Sequence, residues 1–145
     1  MDAILRLMRI LALDVGDKRI GVAVGDSDGR LATPLAVYQR VGRKKDTQAL
    51  LRIAAEYQAD AILAGMPYSL DGAEREQARR VQRFCEGLRE KSPLPVLTWD
   101  ERFSSVEADR RMVEAAVPIA KRKGIRDSAA AAIILQSYLD NNAAP

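Results

Sequence analysis

The chain has 145 residues, the length of one ordinary domain, which buries about two-thirds of the surface that its unfolded form exposes. Hydrophobic residues make up 48% and charged residues 30%, as in soluble globular proteins, and no apolar stretch is long enough to span a membrane. The absence of histidine excludes Ser-His-Asp triads, Cys-His dyads and most zinc sites. The single cysteine, Cys85, excludes an intramolecular disulfide and indicates a cytoplasmic protein. Catalysis is therefore left to carboxylates, lysines, hydroxyls or an oxygen-ligated ion such as Mg²⁺ or Mn²⁺.

The first part of the chain predicts an antiparallel meander. Two apolar runs predict strands over residues 9–16 and 19–25, and Asp17-Lys18 joins them. A turn-forming run over 26–29 then leads to a third strand near residues 33–39.

The rest of the chain predicts alternating helices and strands. The periodicity indicates a helix from Asp46, a strand over 61–65, a charged helix over 73–91, a strand over 95–100 and a helix over 127–139. Ser104 and Glu107 have the spacing of a capping box, which predicts a further helix directly after the fifth strand.

These elements together predict an α/β fold. We expect a mixed five-stranded sheet, with three antiparallel strands followed by strand and helix alternation, and helices on both faces. The organisation predicts a single domain over residues 1–145, in which 1–8 are an N-terminal extension and 141–145 a frayed tail. The extension does not have the pattern of a secretory signal, and Met8 is an alternative start to Met1.

Asp14 is the most informative residue of the first strand. It lies between Leu13 and Val15 in an otherwise apolar run, where an ionised carboxylate costs several kcal/mol unless something compensates it. A nearby cation, a set of backbone amides or a bound metal ion could do so, and Gly16 and Gly21 favour a site where backbone and ligand approach closely. We therefore predict that Asp14 belongs to a functional site.

Further carboxylates occur where such a sheet would gather them. Asp100 and Glu101 end the fifth strand and Asp127 starts the last helix, so these acids can meet Asp14 at one edge of the sheet if the first strand is central. Acids without histidine suit a hard divalent cation, and two such ions can promote hydrolysis of a phosphodiester. Structural explanations stay open as well, since Asp127 can cap its helix and the acid pair can bind Arg102.

Basic residues cluster in several places, and the net charge is +3. One cluster covers residues 40–45, arginines at 75, 79, 80 and 83 recur at helical spacing, and a third cluster lies in a predicted loop over 116–126. Each cluster alone can be a solvated face, but together they favour binding to a nucleic-acid backbone. A helix start after the fifth strand would also attract a phosphate. Nucleic-acid contacts are predicted at Lys18, Arg19, Arg102, Ser104, Ser105, Lys121, Arg122, Lys123 and Arg126.

Four segments resemble, in order and spacing, the YqgF (RuvX) family of RNase H-like proteins. The segments are Leu13-Asp-Val-Gly-Asp-Lys-Arg-Ile-Gly-Val-Ala23, Gly65-Met-Pro67 with Asp71-Gly72, Asp100-Glu-Arg-Phe-Ser-Ser105, and Asp127-Ser-Ala-Ala-Ala-Ala-Ile-Ile-Leu135. The resemblance covers nearly the whole chain, and Met66 stands where the family more usually has leucine.

The resemblance implies an RNase H-like fold and a phosphodiesterase that uses Mg²⁺ or Mn²⁺, with a two-metal site. It implies that Asp14 and Asp127 are catalytic metal ligands, and that Glu101 or Asp100 is the middle ligand. Neighbouring residues on a strand point to opposite faces, so one of the pair should enter the site, and the longer side chain favours Glu101.

The family is described both as a pre-16S rRNA nuclease and as a Holliday junction resolvase, which leaves several functional hypotheses. The main one is 5′ processing of pre-16S rRNA, with structured RNA and ribosomal precursor particles as partners. The alternatives are resolution of branched DNA, which needs a two-fold dimer, and a non-catalytic nucleic-acid-binding role in ribosome assembly. The sequence does not decide between a monomer and a homodimer.

Overall fold

The fold alternates strands and helices around one sheet. The computed structural model describes residues 8–28, 31–68, 75–101 and 122–141, and for residues 75 and 122–127 it describes the backbone alone. The elements in these ranges are β1 (Arg9–Val15), β2 (Arg19–Asp26), β3 (Leu31–Gln39), α1 (Arg43–Glu56), β4 (Ala61–Met66), α2 (Arg75–Lys91), β5 (Val96–Asp100) and α3 (Arg122–Asn141).

The sheet has five strands in the order β3-β2-β1-β4-β5. The pairs β1–β2 and β2–β3 are antiparallel, whereas β1–β4 and β4–β5 are parallel. The predicted mixed sheet is therefore confirmed, and β1 is its central strand. Because β1, β4 and β5 run in the same direction, their carboxyl ends meet at one edge of the sheet.

Helices cover both faces of the sheet, as predicted. Leu11 and Leu13 of β1 belong to the core on one face, together with apolar residues of α1 and α2. Ile10 and Ala12 belong to the core on the other face, against α3. Each large apolar side chain fully buried in these cores stabilises the fold by about 1.5–3 kcal/mol. No helix in the described ranges is long and apolar enough to cross a membrane.

Two helices begin earlier than the sequence predicted. Helix α1 begins at Arg43, and the carboxylate of Asp46 turns back to accept hydrogen bonds from the amides of Val41 and Gly42 at 2.9 and 3.3 Å. Helix α3 begins at Arg122, so residues 122–126 form its first turns and the predicted loop there is wrong. Arginine and lysine favour helix, so α3 begins before Asp127, the residue that was expected to cap it. The helix predicted from Ser104 lies outside the described residues.

Candidate functional site

The acids of β1 and β5 lie at the same edge of the sheet. Asp14 is the residue before the last one of β1, and Asp100 is the last residue of β5, with Glu101 directly after it. The strand between them is β4, whose Ala64 pairs with Leu13 and whose Gly65 pairs with Trp99. Continuing the β1–β4 register by one residue brings Asp14 beside Gly65. The edge therefore places Gly65 between the two acidic strand ends.

Asp14 and Glu101 share a face of the sheet. Leu13 and Val15 face the core of α1 and α2, so alternation along the strand places Asp14 on the α3 face. A Cβ atom built on Gly65 would lie 2.9 Å from Oε2 of Glu101 and 2.6 Å from Cδ1 of Ile134 in α3. The carboxylate of Glu101 therefore extends from the end of β5 over Gly65, on the α3 face. Because Gly65 is in β4, this carboxylate lies about one strand spacing, roughly 4.8 Å, from β1, the strand that carries Asp14.

Gly65 allows the carboxylate of Glu101 to come close to the backbone of β4. Any larger residue would put its Cβ inside the van der Waals distance of both Glu101 and Ile134. The glycine thus leaves a gap over β4 that is filled by a carboxylate from the neighbouring strand. Such a gap in a strand interior is typical of places where another group comes close to the backbone.

Asp100 points to the opposite face. It pairs with Met66, which belongs to the core of α1 and α2, while its neighbour Trp99 faces α3. Trp99 donates a hydrogen bond from Nε1 to Oγ of Ser137 at 2.9 Å and makes an edge contact with Tyr138. Trp99 is therefore a core residue, and the geometry favours Glu101 over Asp100 as the partner of Asp14.

The backbone of α3 brings Asp127 to the same face of the sheet. Asp127 lies seven residues before Ile134, so it is on the same side of the helix and about 10 Å away along its axis. Its side chain is outside the described part of the structure. Among the side chains that are described, no group of three or more Asp, Glu, Cys or His residues is positioned to hold a metal ion. The described part thus contains two of the three predicted ligands, Asp14 and Glu101, and both offer the carboxylate oxygens that suit Mg²⁺ or Mn²⁺.

The predicted nucleic-acid contacts fall partly at this edge. Lys18 is exposed in the β1–β2 turn, and Arg19 is half-buried at the start of β2. The turn lies directly beyond Asp14, since Val15 pairs with Ile20. Residues 122, 123 and 126 lie in the first turns of α3, where the backbone alone is described, and Arg102, Ser104, Ser105 and Lys121 lie outside the described residues.

Sequence reasoning missed two features of this edge. The packing of Glu101 over Gly65 depends on the register of three strands, and the sequence indicated only that Gly65 ends the fourth strand. The second feature is the buried carboxylate of Asp46, which accepts hydrogen bonds from Tyr38 at 3.0 Å and Arg40 at 2.9 Å. A buried Asp near a helix start resembles an ordinary cap, so no sequence pattern distinguished it.

Comparisons with known proteins agree with this architecture. The family model of RuvX, described as Holliday junction resolvase, matches residues 8–141. A protein of Desulforamulus reducens named "Putative pre-16S rRNA nuclease" is 46% identical over 136 residues, which cover 94% of this chain and 99% of that protein. A protein of the same name from Thermoanaerobacter pseudethanolicus is 44% identical, over 92% of this chain and 97% of that protein.

Solved structures with low sequence identity share the fold. RuvC of T. thermophilus, in complex with a Holliday junction substrate, matches with a TM-score of 0.61 and 16% identity, over 94% of this chain and 97% of that one. The Fowlpox virus resolvase, solved with Holliday junction DNA, gives a TM-score of 0.56 and 15% identity, over 92% and 98%. The RNase H-like fold of the chain is thus confirmed. With nearly full-length matches to both the family model and the 44–46% identical relatives, the chain belongs to the RuvX family.

Proposed function

We propose that this protein is a divalent-metal-dependent endonuclease that hydrolyses phosphodiester bonds in structured RNA, in the 5′ processing of pre-16S rRNA. The observation that supports it best is the shared position of Asp14 and Glu101, on one face and at one edge of the sheet, with Gly65 leaving room between their strands. Two carboxylates on one face and at one edge of the sheet would repel each other, and a cation bound by both would relieve that repulsion.

The residues of the chain have separate tasks in this proposal. Asp14 and Glu101 hold the ion, with Asp127 as the third ligand from α3. Lys18 and Arg19, in the turn beyond Asp14, attract the phosphates on either side of the cleaved bond. Water attacks the phosphorus atom, the bond from phosphorus to the leaving oxygen breaks, and that oxygen takes up a proton. A bound divalent ion would polarise the phosphodiester and activate the attacking water.

The relatives favour RNA over branched DNA as the substrate. The proteins at 44–46% identity carry a name that specifies pre-16S rRNA, and they match this chain over nearly their whole length. The junction-bound structures are only 15–16% identical, and at that distance they support the fold alone. Junction resolution stays the second candidate because the family model itself is described as Holliday junction resolvase.

A cleavage assay distinguishes these functions. The protein is incubated with a pre-16S ribosomal RNA fragment and, separately, with a four-way DNA junction, in Mg²⁺ or Mn²⁺ and again with EDTA. We expect cleavage of the RNA that requires the metal. Symmetric cleavage of the junction without cleavage of the RNA would favour the resolvase, and binding of RNA without any cleavage would favour an assembly factor.

Replacing Gly65 by alanine tests the placement of Glu101. Since the new Cβ would collide with Glu101 and Ile134, we expect Gly65→Ala to lower the free energy of unfolding by about 1–3 kcal/mol and to reduce metal-dependent cleavage. The two measurements are urea unfolding followed by circular dichroism and the rate of RNA cleavage.

Gly87→Ala is the matched control for this substitution. Gly87 lies inside α2, where an added Cβ would be 4.0 Å from its nearest neighbour, Cδ of Arg43. We expect Gly87→Ala to raise the free energy of unfolding by about 0.5–1 kcal/mol, because alanine favours helix, and to leave the cleavage rate native. If Gly65→Ala behaved like Gly87→Ala in both measurements, the proposed position of Glu101 would be wrong.

A further inference from the structure

A concave site opens at the same edge of the sheet, on the opposite face from Asp14 and Glu101. It is a cavity of about 330 Å³ between the β1–β2 turn, the loop from β3 to α1, and helix α2. Two of the basic clusters in the sequence meet in it, since its lining includes Arg40 and Arg43 from one cluster and Arg80 and Arg83 from the other. These four residues define what we call the arginine pocket.

Arg40 lines the arginine pocket, and its guanidinium is held by neighbouring elements. Its Nε donates a hydrogen bond to Oδ2 of Asp46 at 2.9 Å, and its Nη1 donates one to the carbonyl oxygen of Gly16 at 2.9 Å. Its guanidinium also lies over the ring of Phe84, 5.0 Å from the ring centre. Arg40 therefore ties the β1–β2 turn to the start of α1, and its charge is balanced by a buried carboxylate.

Arg80 and Arg83 are held by weaker contacts than Arg40. Arg80 reaches Asp17 at 3.2 Å, and both side chains are at least half exposed. Arg83 approaches Glu76 at 3.7 Å, also at the surface. Exposed ion pairs of this kind contribute little to stability, so another anion can readily replace the carboxylate. The lining has four arginines against two carboxylates, Asp17 and Asp46, and Glu76, beside Arg83 but outside the lining, offsets one of the two remaining positive charges.

Guanidinium groups converging on a cavity suit a phosphate group. Arginine presents parallel N–H donors that match phosphate oxygens in pairs, and it stays charged at any physiological pH. Among the described residues of the lining, Phe84 is the aromatic one, and Arg40 covers its ring, so these residues offer no open ring on which a base could stack. Recognition there is therefore directed at the phosphate and not at the base.

The location connects the arginine pocket to the acidic edge. Gly16 and Asp17 line the pocket and follow Asp14 by two and three residues, so the pocket lies within about 10 Å of Asp14 along the chain. A nucleic-acid strand that crosses this edge of the sheet can reach both sites. We propose that the arginine pocket binds a backbone phosphate of the bound nucleic acid, away from the bond that is cleaved; this rests on the proposed nuclease function.

Binding of a short fluorescein-labelled RNA, followed by anisotropy in EDTA, tests the arginine pocket without cleavage. We expect the double variant Arg80→Gln/Arg83→Gln to bind about tenfold more weakly than the native protein and to show a salt dependence shallower by about one unit in slope. Arg79→Gln is the control, because Arg79 is on the same helix, has the same charge and approaches the same Glu76, but is not among the described residues that line the pocket; since it removes one charge and the double variant two, the losses are compared per removed charge. Equal losses per removed charge in both variants, or native affinity in the double variant, would refute the proposal.

Two further experiments test this proposal independently of the nuclease assignment and distinguish a backbone-phosphate site from a site for a free nucleotide. At saturating RNA the double variant should still cleave, whereas Asp14→Asn should bind RNA and not cleave. If the native protein never cleaves, the nuclease assignment fails but the binding result stands.

Amide resonances of Gly16 and Asp17 are then followed by NMR during titration with RNA or with ADP. Shifts caused by RNA support the backbone assignment, while shifts caused by ADP alone would overturn it.

Discussion

Asp14→Asn is expected to lower the rate of metal-dependent RNA cleavage by at least about a hundredfold. The amide keeps the shape of the side chain but removes the negative charge that, in the proposed site, would hold the cation, whose stabilisation of the transition state would be worth several kcal/mol. Because Asp14 lies at the end of β1 and is only half-buried, the isosteric change should leave the circular dichroism spectrum of the protein native. The measurement is the single-turnover rate with Mg²⁺ or Mn²⁺.

Asp28→Asn serves as the control for this change. Asp28 is an exposed aspartate in the turn after β2, at the opposite edge of the sheet, so the same loss of charge should leave cleavage at the native rate. Native activity in Asp14→Asn, or activity of the native protein that EDTA does not reduce, would contradict the metal site.

Asp46→Ala is expected to lower the free energy of unfolding by about 3 kcal/mol at pH 7. The Asp46 side chain is 1% exposed and accepts hydrogen bonds from Tyr38, Arg40 and Val41, at 3.0, 2.9 and 2.9 Å. Removing one partner of a buried ion pair leaves the remaining donors unsatisfied, which is much more costly than losing a surface pair. Urea unfolding measures the difference. Asp140→Ala, at an exposed acid of α3, should change the stability by less than about 0.5 kcal/mol.

The stability that Asp46 contributes should depend on pH. Burial alone would raise the pKa of Asp46, but the hydrogen bonds from Val41, Arg40 and Tyr38 outweigh it and hold the pKa below its ordinary value of 3.8. The folded protein therefore binds fewer protons than the unfolded chain, so the contribution is complete above about pH 3.8 and is lost as the pH falls through the folded pKa. The difference in the free energy of unfolding between the native protein and Asp46→Ala should become smaller as the pH falls below about 3.8. A difference that stays constant with pH would contradict this explanation.

The sheet followed from the sequence because its strands carry strong local patterns. Turns rich in Asp, Gly and Lys separate apolar runs, and the switch from adjacent strands to strand and helix alternation determined the mixed sheet order. Asp14 stood out for the same reason, as a charge inside an apolar run. The helix starts were less predictable, since Asp46 and Asp127 both resemble caps, while α1 and α3 begin three and five residues before them.

The details of the site depend on contacts between distant residues. Glu101 reaches over Gly65 only because β4 and β5 pair in a particular register and α3 lies above them, and no local pattern encodes that register. The arginine pocket likewise joins clusters about 40 residues apart in the chain. The sequence could identify the acids and the basic clusters, and it favoured Glu101 over Asp100 only by the length of its side chain, whereas the structure adds the face on which each residue lies.

The most direct test of the metal site is a crystal structure of the protein soaked with Mn²⁺, with the ion located by its anomalous scattering. We predict a peak over the α3 face at the carboxyl ends of β1 and β5, within about 2.2 Å of carboxylate oxygens of Asp14 and Glu101. A peak that contacts Asp100 in place of Glu101, or that touches neither Asp14 nor Asp127, would contradict the proposed site.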